Sequence, residues 1–143
     1  MRSRAFRAVV GSLAVVSLAL VVGACATGHT TPVDPSVIPR LAGKWTGFLV
    51  GKSGAAAPAS MVVQPDGSYR ITIVEPAIVA SGKFSVVNGQ LVLNNTALSG
   101  PSVDLAPATA TMDFSEKGGR MSLSGFGSND AGPFSINFSK QTN

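Results

Sequence analysis

The sequence predicts an all-β domain, a small eight-stranded antiparallel up-and-down barrel, set behind an apolar N-terminal leader and a flexible tether. Three observations predict it. Short segments alternate apolar and polar residues with a period of two, the pattern of half-buried strands. Turn chemistry, including Asn88-Gly89, recurs between those segments. Charged residues make up only 13% of the chain and glycines number 16, which suits tight turns better than helices. A two-sheet sandwich of the same strands is the alternative.

The leader comes first. Arg2, Arg4 and Arg7 form a positive head before the 15-residue apolar run 8–22. That run fits a signal segment and falls short of the roughly 20 residues a spanning helix needs. It closes on Val22, Gly23, Ala24 and Cys25, the only cysteine in the chain. Small side chains there let a peptidase grip extended backbone. The pattern resembles a bacterial lipoprotein signal peptide with its lipobox. The resemblance implies cleavage directed by Val22, Gly23 and Ala24, and lipidation of Cys25. An uncleaved membrane helix and ordinary signal cleavage near Ala24 are the competing readings. The next residue is Ala26, not the aspartate that marks inner-membrane retention in diderm lipoproteins. The expected station is the cell envelope: the outer membrane facing the periplasm in a diderm, or otherwise the outer face of the plasma membrane.

Loss of residues 1–24 leaves 119 residues, enough for one domain with a core. Eight Lys and Arg then face seven Asp and Glu, so no basic stripe marks a nucleic-acid partner. With Cys25 claimed by the anchor, no disulfide holds the domain, and apolar packing must do so.

Residues 26–40 read as an extended, solvated tether, because Pro32, Pro35 and Pro39 oppose helix and sheet alike. Strands are expected at 44–50, 59–64, 69–74, 82–87, 90–94, 109–115, 120–126 and 133–139. Residues 51–58 read as a flexible loop, and so do the Ala-rich stretches 55–59 and 106–110, which Pro58 and Pro107 interrupt. The longest gap, 96–107, is expected to cross an open end. The alternation points Met61, Ile71, Phe84, Leu91, Met112, Met121, Phe134 and Phe138 inward. In a small barrel such a set fills the interior, which is favoured here over a ligand cavity.

The segment Leu41-Ala42-Gly43-Lys44-Trp45-Thr46-Gly47 resembles the opening strand of the calycin group: lipocalins, avidins and bacterial lipocalin-like domains. Those barrels begin with Gly-x-Trp. The resemblance implies that Trp45 plugs the barrel floor and that Gly43 lets the chain pass beside it. It does not extend to avidin chemistry, which uses several tryptophans where this chain has one.

Catalytic groupings are not legible. His29 is the only histidine and falls in the tether, whereas a metal site or triad needs convergent groups. Asp66 and Asp130 fall in turns, Asp113 and Glu116 on a polar face or hairpin, and Glu75 at a strand end. Gly118-Gly119 and Gly125-Phe126-Gly127 read as hairpin and bulge geometry. The expectation is therefore a non-enzymatic protein with no cofactor, no metal and no nucleic-acid partner. It is held to a membrane through Cys25 and binds an apolar small molecule or an envelope protein. The alternative is a periplasmic protease-inhibitor-like module, with residues 26–40 as the inserted segment.

Overall fold

In a computed structural model, residues 31–100 and 108–142 are described. Val22, Gly23, Ala24, Cys25 and His29 lie outside them, as does 101–107 of the expected crossing segment. A short helix, α1 (Val37–Arg40), precedes eight strands: β1 (Gly43–Val50), β2 (Ala56–Val63), β3 (Ser68–Ile73), β4 (Ile78–Val87), β5 (Gln90–Ser99), β6 (Thr109–Lys117), β7 (Arg120–Asn129) and β8 (Gly132–Lys140). Each strand pairs antiparallel with the next. β8 returns to β1, with Trp45 opposite Lys140 and Gly47 opposite Phe138, so the sheet is a closed up-and-down barrel. Closure leaves no edge strand exposed.

The turns follow from their residues. Asn88 and Gly89 both hold positive φ (51° and 76°), the paired left-handed geometry that a two-residue hairpin needs. At the β2–β3 turn the Asp66 carboxylate accepts from the Ser68 N–H at 2.9 Å. That backbone bond holds the Asp66 acid below its usual range. Gly118-Gly119 forms the β6–β7 turn, as the sequence predicts.

Alternation places the core as expected. Met61, Ile71, Phe84, Leu91, Met112 and Phe138 are buried, and Met121 and Phe134 pack partly buried against them. No polar or charged residue joins the buried set among the described residues.

Four sequence readings are corrected. Residues 56–58 are strand, not loop, and begin β2. Pro58 is tolerated because β2 pairs with β3 only from Ala59 onward, so one flank of the strand is unpartnered at the proline. Similarly, 96–99 extend β5 rather than bridging a gap, while β6 opens at Thr109 as the expected strand does. Gly125-Phe126-Gly127 keeps continuous register with both neighbours and is no bulge. The irregularity lies instead between Ser81 and Gly82, where Gly82 faces Asn95 but Ser81 faces Ala97. Finally, residues 31–40 are mostly exposed, as expected, but they are docked on the barrel rather than freely extended. Val33 donates its N–H to Gly89 O at 2.7 Å, α1 forms despite Pro39, and Val37 is buried. Pro39 fits because it falls in the first turn, where its missing N–H would have had no helical partner.

Candidate functional site

The two ends of the barrel differ. At the end reached by the β2–β3, β4–β5 and β6–β7 turns, α1 and the residues flanking it lie across the opening. Trp45 and Leu41 are completely buried there. The Trp45 indole N–H donates to Leu41 O at 2.8 Å, so its one polar atom is satisfied inside the core. Lys140 Nζ sits 5.8 Å from the Trp45 ring centroid and donates to Arg40 O at 2.7 Å. Gly43 opens β1 at φ +133°, and a Cβ there would stand 3.0 Å from Lys140 Cε. Arg40 also pairs with Glu116 of the β6–β7 hairpin. This end is the floor.

The other end, bounded by residues 51–55, 74–77 and 130–131 among the described loops, opens into a cavity of about 360 Å³. Its wall is mainly aliphatic: Leu49, Ile71, Ile73, Ile78, Leu93 and Ile136, with Phe134 at the side. Ala57, Ala80 and Ala108 occupy positions where larger residues would fill the space. The expectation of a filled interior thus fails at this end, and the cause is side-chain size. Polar groups gather at the rim, where Lys52, Glu75 and Asn129 stand. The Lys52 stem lies close over Gly132.

One polar residue lies on the inner wall. Asn95 lines the cavity, and its Oδ1 accepts from the Tyr69 hydroxyl at 2.6 Å. Tyr69 reaches it by passing over Gly82, where even a Cβ would stand 2.6 Å from the phenol oxygen. Burial pushes the Tyr69 phenol well above its ordinary value, so it remains a neutral donor. The cavity is the alternative that the sequence left second to a filled interior, and the alanines of 55–59 are its one sequence signal. The Tyr69–Asn95 pair has no such signal.

Outside the barrel, Phe126 is 75% exposed on β7, but its neighbours in register are Thr111 and Ser135. It is an isolated aromatic rather than a patch. Among the described residues, no three His, Cys, Asp or Glu side chains converge.

The fold and its cavity define a class: a small closed antiparallel barrel with one sealed and one open end. No family model, curated protein or solved structure matches the chain.

Proposed function

We propose that this is a lipid-anchored envelope protein that carries a small apolar ligand, without chemical conversion, in the open end of its barrel. The observation behind this reading is the aliphatic cavity of about 360 Å³. Its size falls within the roughly 300–1,000 Å³ of small-molecule sites, and a mostly apolar wall with few polar groups is their usual lining. A barrel floor sealed by Trp45 agrees with a calycin-like carrier.

The protease-inhibitor-like alternative is less well supported. Val33, Val37 and Ile38 of the segment it would insert pack against the barrel core instead.

An anchor on Cys25 is compatible with the position of the cavity. The chain enters the barrel at the floor, and five residues separate Cys25 from Thr31, a reach of at most roughly 22 Å. In the floor half Arg40, Lys44, Arg70, Lys83, Lys117, Arg120 and Lys140 outnumber Asp34, Asp66, Asp113 and Glu116, which leaves a net positive charge, and Lys52 is the one cation at the mouth among the described residues. A lipid on Cys25 would hold this basic floor toward anionic headgroups and turn the mouth to the aqueous side.

Two experiments test the reading. Cys25→Ser should leave an unprocessed precursor and abolish fatty-acid incorporation; a normally processed, labelled variant overturns the anchor. For the cavity, the full chain in lipid nanodiscs should bind the neutral fluorophore N-phenyl-1-naphthylamine saturably above an empty-nanodisc blank. Ala80→Phe and Ala57→Leu, which fill the cavity, should abolish that binding while the melting transition persists. Signal no greater than the blank, or unchanged in both variants, overturns ligand carriage.

A further inference from the structure

We propose that the cavity selects apolar molecules bearing one neutral hydrogen-bond acceptor, such as a ketone, ester or ether oxygen, over pure hydrocarbons, and that Asn95 makes the selection. This rests on the carrier reading and sharpens it.

The argument begins with the bulge. The register break between Ser81 and Gly82 leaves one extra residue, Thr96, in β5. Such a break re-aims the side chains beside it. Asn95 pairs with Gly82 just before the break, faces the barrel interior and stands on a wall that is otherwise aliphatic. The Tyr69 hydroxyl fixes its amide by donating to Oδ1 at 2.6 Å. A Tyr hydroxyl has one proton, and here it is spent on that oxygen. Asn95 therefore keeps Nδ2, with two protons, as the group it can offer to a ligand. No described residue accepts from Nδ2.

A donor on an apolar wall discriminates. A hydrocarbon filling the cavity displaces water from Nδ2 and leaves the amide unpaired, whereas a ligand oxygen restores the bond. The acceptor should be neutral rather than a carboxylate. The wall beside Asn95 carries no cation, and the cavity's only one among the described residues, Lys52, stands at the rim facing the aqueous side.

The test uses the full chain in nanodiscs, with ¹⁵N-labelled Asn side chains and ¹³C-labelled Ile methyls. The Asn95 amide signal is assigned by its loss in Asn95→Leu. The probes are a straight-chain methyl ketone and the alkene in which a methylene replaces its carbonyl oxygen. Both should shift the methyls of Ile71, Ile73 and Ile136, and only the ketone should move the Asn95 Nδ2–H₂ signals. After correction for lipid partitioning, the ketone should bind about three- to tenfold tighter. Asn95→Leu should erase that preference and retain the alkene. If neither probe moves the Ile methyls, the carrier reading fails. If both move the methyls equally while the Asn95 amide stays still, the selection fails and the carrier reading stands. The wild-type amide shift decides the matter even if Asn95→Leu does not fold.

Discussion

The floor and the mouth are built from the same eight strands with the same inward alternation, yet one is solid and the other hollow. The difference lies in what stands at the inward positions. Toward the floor these are Trp45, Met61, Tyr69, Phe84, Leu91, Met112 and Phe138, all buried. Toward the mouth the large aliphatics share the circumference with Ala57, Ala80 and Ala108. A barrel of this strand number is only just wide enough for its own side chains, so a few alanines on one level open a void that the larger residues below would close. Backbone closure sets the diameter, and residue volume decides what remains inside it.

The contrast can be broken most severely at the floor. Trp45→Ala removes the largest buried side chain and orphans its contact with Leu41 O; it should cost about 3–5 kcal/mol of stability in urea unfolding. Ile73→Ala at the mouth should cost about 2 kcal/mol, the low end for such truncations, because part of the Ile73 surface already faces a void. Equal costs would mean that the mouth is as tightly packed as the floor.

A smaller effect follows from Tyr69. Its folded-state phenol ionises well above the ordinary 10.0 because burial penalises the charge. The unfolded chain therefore loses that proton first. The stability tied to Tyr69 is complete below pH 10 and drains away as the pH climbs toward the raised folded value. Tyr69→Phe should flatten the alkaline limb of the stability profile, and thermal melts between pH 9 and 11 would register it. An unchanged limb would mean the phenol is not sequestered. The smallest effect belongs to the Arg40–Glu116 pair that ties α1 to the β6–β7 hairpin. Its side chains are 52% and 37% exposed, so Glu116→Gln should cost no more than about 1 kcal/mol in the same unfolding measurement.

The strands of the floor were legible because their two faces differ. Ile71 against Thr72, or Met112 against Asp113, announces a strand without any knowledge of its neighbours. The mouth was not legible, for the same reason turned around. In Ala55-Ala56-Ala57-Pro58-Ala59 the inward and outward residues are nearly alike, so a period of two leaves no trace. The very residues that hollow the barrel erased the signal of the strand that carries them. Residues 31–40 were misread for another reason. Their prolines argued for an extended chain, but Val33, Val37 and Ile38 found apolar partners on the barrel floor, and tertiary packing overrode local propensity. The Tyr69–Asn95 bond joins residues 26 positions apart across a glycine; no local pattern encodes it.

The seam between the first and last strands has one more consequence. Trp45 finds its neighbour Lys140 only when almost the whole polypeptide is present. Until β8 docks, the sheet stays unzipped along both β1 and β7. Loop-closure entropy opposes such distant pairing and delays it. The last nine-residue strand, Gly132–Lys140, thus works as a late-arriving latch: the barrel closes only when it docks against β1.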